Sequence, residues 1–246
     1  MIKNEYSRMY NMETYFWWYL ALHELVVSFI DKFFKKNNLN IFDAGCGTGR
    51  MIELLNEYGC VEGIDYSEEA INFSKRRGLQ NIKIENLNTW DIKENKYDII
   101  ICLDVIYHSG IIDDIEIIRK FYSALKNNGV LILNNPAFKI LKRKHDEVVS
   151  TKRRYAKRVI MKKIKNIGFN IEEATYRLPY LFIIILIRKL INKMFNGYKI
   201  KSDLISLPSW LNRLLLILNR IENKLILNGI HMPFGSSLFI VAKKCN

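Results

Sequence analysis

Apolar residues follow two rhythms along this chain, and the rhythm switches repeatedly between them. From Tyr19 to Phe34 they recur at helical spacing, and the same spacing returns at Met51–Tyr58, Ser67–Arg77, Asp113–Asn127 and Ala156–Asn166. Between these lie short apolar runs of strand type: Ile41-Phe42, Val61–Ile64, Asn81–Glu85, Tyr97–Leu103, Val130–Leu133, Gly168–Arg177 and Ser236–Lys243. The run Tyr97–Leu103 is almost unbroken, as expected of a strand covered on both faces. Ser67 followed by Glu68 and Glu69 is a helix start with acids in the positive first turn. Ile117, Ile118, Phe121 and Leu125 give the next helix its apolar face, and Lys-Asn-Asn-Gly is expected to cap its end. Strand and helix in strict alternation predict an α/β fold built from right-handed parallel units.

The alternation breaks between Leu178 and Met232. Tyr180–Ile187 is apolar but far shorter than the roughly 20 residues needed to cross a bilayer. Trp210–Leu227 places Leu211, Leu214, Leu215, Leu218, Ile221 and Leu225 on one helical face, with Arg213, Arg220, Asn223 and Lys224 elsewhere. Two packing partners fit such a helix: the sheet and the neighbouring helix, or a membrane surface or lipid tail, since basic residues flank the apolar runs. Residues 178–232 are therefore expected to be a helical insertion before the last strand. With 246 residues the chain is expected to be one domain, 1–246, opened by a segment 1–36 that is dense in aromatic rings up to Tyr19 and suited to fold over something as a lid.

Composition changes the picture only through charge. Hydrophobic content of 49% is ordinary, but the net charge is +13. Lys139 to Lys165 holds twelve Lys or Arg against Asp146 and Glu147, a net +10 of that +13. One segment thus raises the expectation of an anionic partner. Cys46, Cys60, Cys102 and Cys245 lie far apart without metal-ligand spacing, so neither a zinc site nor a disulfide framework is predicted. No signal-type segment opens the chain, and the expected location is the cytoplasm, with the inner face of the membrane as a place of contact.

Chemistry concentrates at Asn40–Arg50, N-I-F-D-A-G-C-G-T-G-R. A strand that ends in alternating glycines and passes into a helix exposes main-chain amides beside a positive helix end, and glycine lets a ligand approach the backbone closely. Gly45, Gly47 and Gly49 read G-x-G-x-G behind Asp43, not the G-x-G-x-x-G of dinucleotide folds. A second apolar strand ends about 20 residues later in Asp65, where a carboxylate can take ribose hydroxyls. This D-x-G-x-G-x-G run with its following acid resembles the first motifs of class I S-adenosylmethionine-dependent methyltransferases. The resemblance implies a Rossmann-like, mostly parallel seven-stranded sheet with an antiparallel last strand, and S-adenosyl-L-methionine as cofactor.

The resemblance also implies roles. Asp43, Ala44, Gly45, Cys46, Gly47, Gly49, Asp65 and Tyr66 would hold the cofactor, with Asn88 and Thr89 at the adenine edge, Leu103 at the end of the fourth strand, and Tyr10 and Trp18 from the lid. His108, in L-D-V-I-Y-H, falls just past that strand, at the edge where open α/β sheets bind ligands. The stretch after the fifth strand resembles a subset of the family with Pro-Ala, then His-Asp, then His-x-Arg-Arg-Tyr. Here those positions are Pro136-Ala137, His145-Asp146 and Thr151 to Tyr155, with Thr151 in place of the second histidine.

Methyl transfer needs alignment and, for an acceptor that holds a proton, a base near neutral pKa. His145 or His108 would serve, with Tyr155 as a further donor and Arg153, Arg154 and Asp146 around an anionic acceptor group. No metal is expected. The expected enzyme methylates oxygen on an anionic amphiphilic or lipid-linked small molecule, with peripheral membrane contact. Two alternatives stand beside it: an RNA methyltransferase, which would explain the charge, and a non-catalytic cofactor-binding protein.

Overall fold

A computed structural model describes residues 3–35, 38–142, 146, 150–194 and 207–245. Two helices open it, α1 (Lys3–Met12) and α2 (Trp17–Phe33). Then β1 (Leu39–Ala44), α3 (Arg50–Leu55), β2 (Gly59–Asp65), α4 (Glu68–Arg76), β3 (Ile82–Ile84) and β4 (Tyr97–Leu103) alternate. After α5 (Asp114–Ala124) come β5 (Leu125–Pro136), α6 (Lys157–Ile167) and β6 (Phe169–Arg177). Two more helices, α7 (Pro179–Met194) and α8 (Ser209–Leu227), precede β7 (Ser237–Lys244).

The strands form one sheet in the order β3-β2-β1-β4-β5-β7-β6. β1 pairs in parallel with β2 and β4, β2 with β3, and β4 with β5, whereas β7 runs antiparallel to both β5 and β6. This is the Rossmann-like class I methyltransferase fold. The chain builds outward from β1 to β3 and then returns to place β4 on β1's other side. The C-terminal ends of β1 and β4 therefore flank a switch point, where α/β sheets form their clefts. There the two loops touch: a Cβ on Gly45 would stand 2.4 Å from a Val105 methyl.

Both faces of the sheet are covered. Ile100, Cys102, Leu131 and Leu133 pack with Ile117, Phe121, Ile160 and Ile164 from α5 and α6. On the other face Ile99, Ile101, Ile132 and Phe239 pack with Leu25, Val26 and Phe29 of α2 and with Ile226 of α8. The apolar run of β4 is thus buried on both sides, as its sequence predicts.

Three expectations need correction. α5 stops at Ala124, and Lys126–Gly129 belongs to β5: Leu125 is already extended, and the positive φ of 64° falls on Asn128 inside the strand. The β3 strand is only three residues long. The third concerns α8, which is turned the opposite way from a helix packed on its apolar stripe. Asn219, Glu222 and Asn223 are buried, while Leu214, Leu218 and Ile221 are 45–52% exposed. The inward polar side chains each meet backbone or a hydroxyl. Asn212 accepts from the Trp17 amide at 3.0 Å and donates to Tyr15 O, Asn223 donates to Ala21 O, Glu222 accepts from the Leu178 amide at 2.7 Å, and Asn219 meets the Tyr180 hydroxyl. The start of α2 and the β6–α7 turn leave main-chain groups without helical or sheet partners, and these side chains satisfy them. Of the stripe, Leu214, Leu218, Ile221 and Leu225 are left outside, while Leu215 packs against the cluster of Phe16, Trp17 and Leu178.

Candidate active site

The glycine loop holds the backbone angles its sequence predicts, with φ of +86°, +54° and +83° at Gly45, Gly47 and Gly49. Its amides, however, point inward. Gly45 and Cys46 donate to Ile64 O at 2.8 and 2.9 Å, Gly49 to Cys46 O at 2.9 Å, and Gly47 to Asp65 Oδ2 at 3.0 Å. The expected cradle of open amides is therefore replaced by a loop clamped to the end of β2. What faces the cleft is carboxylate. Asp65 accepts only backbone donors, Gly47 N and Ser67 N. Asp43, at 3% exposure, has no hydrogen-bond or ion-pair partner among the described residues. Burial, with Asp65 and Glu13 nearby, pushes its carboxyl up to about 7, and burial raises Asp65 as well. Asp104, just past β4 with φ +58°, is also pushed up to about 7 by burial, although Asn134 Nδ2 donates to it at 2.7 Å. Three acids thus stand at the ends of three adjacent strands; Asp104 has the Arg177 guanidinium nearby, whereas Asp43 has only further acids, Asp65 and Glu13, around it, which suits a cationic ligand rich in donors and not a phosphate.

α1 is laid on this loop. A Cβ on Gly47 would stand 2.8 Å from Met9 Cε, and the Tyr6 hydroxyl, buried, bonds Ser67 and Tyr66 beside Asp65. Glu13 anchors the segment after the helix. It accepts from the Thr48 hydroxyl and from Arg77 Nη2 at 2.7 Å, and Arg77 Nε reaches Thr48 O at 2.9 Å. Arg77→Ala leaves Glu13 buried without its cation, a loss of about 3–5 kcal/mol for such a pair. We expect faster amide exchange across α1 in this variant; unchanged protection would show that apolar contacts alone hold the helix.

The predicted residues fall into two groups. Asp43, Gly45, Gly47, Asp65 and Tyr66 gather at the ends of β1 and β2, and Tyr66 lies ring to ring with His108 at 6.0 Å. Ala44 and Cys46 are buried in the sheet face and Leu103 is partly buried against the α2 side. Tyr10 instead packs on Phe73 of α4 at 4.9 Å, under the Arg77 guanidinium, and Trp18 packs edge-on against Tyr19 at 5.0 Å. Asn88 is engaged as a staple: it donates to Gly110 O and accepts from the Ile112 amide, while Thr89 bonds back to Asn86 O.

The loop after β5 folds onto the loop after β4. Thr151 bridges His108 in antiparallel pairing, and the Lys152 and Arg153 amides donate to Tyr107 O. Both arginines are engaged there. Arg153 donates to Ile111 O and Ile112 O and lies 3.4 Å from Asp114, and Arg154 makes a two-pronged pair with Asp146 at 2.9 and 2.6 Å. Tyr155 is buried with its hydroxyl 2.9 Å from Asp114. His108 Nδ1 accepts from the Gly110 amide at 3.1 Å, so the neutral ring carries its proton on Nε2; burial lowers its pKa. His145 lies outside the described residues. Sequence reasoning passed over Tyr6, Glu13, Asp104 and Arg177. The available signals were lone charges in otherwise apolar or aromatic runs.

The methyltransferase domain family profile matches residues 35–195. A ubiquinone biosynthesis O-methyltransferase of Hydrogenovibrio crunogenus is 30% identical over 128 residues, 46% of this chain and 52% of that protein. The chain spans about half or less of the curated relatives it matches. Among solved structures, a Haloferax volcanii methyltransferase in complex with Trm112 overlays at TM-score 0.64 with 12% identity, over 99% of this chain and 95% of that one. Phosphoethanolamine N-methyltransferase 2 of Haemonchus contortus in complex with S-adenosyl-L-methionine overlays at 0.57 with 18% identity, over 91% and 52%. The chain belongs to the methyltransferase domain family, in the class I fold of S-adenosylmethionine-dependent methyltransferases.

Proposed function

We propose that this chain transfers a methyl group from S-adenosylmethionine to an oxygen of an anionic, amphiphilic or lipid-linked small molecule. The observation that carries the cofactor half is the carboxylate Asp43, buried beside Asp65 and Glu13 without a cation. S-adenosylmethionine is a cation at its sulfonium and its ammonium, and its ribose offers two hydroxyl donors, so the residues present fit it. When bound it supplies a methyl carbon already activated by the sulfonium charge. Asp65 would take the ribose hydroxyls, Asp43 would balance the positive charge through the loop, and α1 would exclude water.

Asp104 is the proton acceptor we assign for the substrate hydroxyl. A carboxyl poised at about 7 can take a proton near neutral pH. His108 fits a donor role, because its Nε2 carries the proton when neutral. Arg153, Arg154 and Tyr155 shape the wall between the two loops, and Asp146 fixes Arg154. The amphiphilic half rests on the exposed Leu214, Leu218 and Ile221 of α8 and, separately, on the exposed Ile183, Ile187, Leu190 and Ile191 of α7. Among the described residues no helix is long and apolar enough to cross a membrane, so contact would be peripheral. The relatives support both chemistries in outline: one is a ubiquinone-biosynthesis O-methyltransferase and one a phosphoethanolamine N-methyltransferase.

The test is calorimetric titration with S-adenosylmethionine at two pH values, followed by transfer of labelled methyl to a lipid extract. A cation bound near Asp43 favours its ionised form. Affinity should therefore rise from pH 5.5 to pH 8 by roughly tenfold, the yield of about one pKa unit of coupling. The ligand-free fold behaves oppositely. Asp43 and Asp104 bind protons more tightly folded than unfolded, so their contribution strengthens as pH falls from about 7 toward 3.8 and is lost as pH rises. Binding that is absent, or equal at both pH values, defeats the cofactor assignment. Exposed lysines on α6, Lys162, Lys163 and Lys165, favour RNA as a second acceptor class, and RNA affinity falling steeply with salt would support it.

A further inference from the structure

Beside Asp104 lies a second group of buried polar side chains. Arg177, the last residue of β6, is fully buried, and none of its three guanidinium nitrogens has a hydrogen-bond acceptor. A buried guanidinium normally fills its five N–H positions, because an unmet buried donor costs the full desolvation penalty. The nearest ionisable groups are Glu222 of α8, Asp104 past β4 and Tyr180 of α7. Glu222 is committed to the Leu178 amide and Asp104 to Asn134. The Trp17 ring lies 6.2 Å from that of Tyr180, centroid to centroid, and its indole N–H is likewise buried without an acceptor. The Tyr180 hydroxyl accepts from Asn219 Nδ2 at 2.6 Å, which leaves its own proton to donate. Three elements thus bring buried donors into one neighbourhood around Tyr180, and Arg177 there lies close to Asp104.

We propose that Arg177, with Tyr180 and Trp17, binds the oxyanion of the methyl acceptor, a carboxylate or a phosphate monoester, and so sets which substrate reaches Asp104. The inference rests on the methyl-transfer reading for its link to catalysis, though not for the anion site itself. The planar fork of an arginine matches either oxyanion through two parallel hydrogen bonds. Neither Arg153 nor Arg154 supplies this in the described structure, since backbone oxygens and Asp146 hold them. Glu222 and Asp104 balance the charge of Arg177, but its N–H positions stay unfilled until an acceptor enters. α8 links this neighbourhood to the surface: Glu222 and Asn219 are buried beside Arg177 and Tyr180, while Leu218 and Ile221 are exposed. An acceptor with a charged head at Arg177 and an apolar tail would meet both.

Tryptophan fluorescence of the full chain, titrated with benzoate and separately with phenyl phosphate, tests the site and distinguishes the two oxyanions. At least one should saturate the wild type. Arg177→Met should weaken that binding tenfold or more, and Arg177→Lys, which keeps the charge without the fork, should weaken it less. Arg177→Met takes the cation away from buried Glu222 and from Asp104 and is expected to lower Tm, whereas Arg177→Lys, which keeps that charge, should lower it less. The same preparations are titrated with S-adenosylhomocysteine. If it binds and neither anion does, the oxyanion inference fails alone; if an anion binds and it does not, the methyl-transfer reading fails and the oxyanion site stands. Equal anion affinity in Arg177→Met, or loss of S-adenosylhomocysteine binding in Arg177→Met and Arg177→Lys alike, would show a structural residue and overturn the proposal.

Discussion

Asp65→Ala is expected to reduce cofactor affinity by at least about a hundredfold, because two charge-assisted hydrogen bonds, each worth about 1.5–3 kcal/mol, go together with the ribose contact. One oxygen of this carboxylate holds the Gly47 amide and the other the Ser67 amide, so the side chain both shapes the glycine loop and closes β2. Removing it releases the loop before any ligand arrives. Asp65→Asn separates the two roles: its amide oxygen keeps one acceptor, yet it cannot neutralise a cation. Calorimetry should place Asn between wild type and Ala. Unchanged affinity in Asp65→Ala would remove the physical basis for a nucleoside at this strand end.

Leu218→Glu together with Ile221→Glu is expected to abolish flotation with anionic liposomes while leaving S-adenosylhomocysteine affinity and Tm within error. Both side chains are about half exposed, so neither fills the core, and surface substitutions of this kind stay within about 0.5 kcal/mol. Acidic residues on the stripe would oppose an anionic bilayer as well as remove apolar area. Vesicles of neutral lipid give the second arm: weaker binding there than on anionic vesicles points to the basic residues Arg188 and Arg213 beside the stripe. If wild-type protein fails to float with either vesicle, the stripe is not a membrane surface, and the lipid-linked acceptor loses its main support.

Much of the fold was legible because the parallel strands bury both faces. Tyr97–Leu103 and Ile41-Phe42 could scarcely be anything else, and the D-x-G-x-G-x-G run placed the loop with its positive φ angles. What pattern could not give was direction. The α8 stripe reads as a buried face to any rule that counts leucines, yet Leu214, Leu218 and Ile221 lie outside while Asn219, Glu222 and Asn223 lie inside, because the surface the helix covers includes unpaired backbone as well as hydrocarbon. The amides of the glycine loop misled in a similar way. Their sequence shows that they can approach a ligand, whereas only the register with Ile64 and Asp65 shows that they are already engaged. Arg153 and Arg154 looked like anion receptors because charge in a run is conspicuous. Arg177, alone at the end of β6, was not conspicuous, and its significance comes from burial that no local pattern reports.

The position of β7 bears on how the molecule is made. It slots between β5 and β6, although β6 is synthesised some sixty residues before it. Until Ser237–Lys244 leaves the ribosome, β5 presents a naked apolar edge, and β6 has no neighbour to pair with. A nascent chain halted short of that strand would be a five-stranded fragment primed to stick to its copies. Tags and truncations that disturb this late strand should therefore reduce soluble yield more than equal insults to α1.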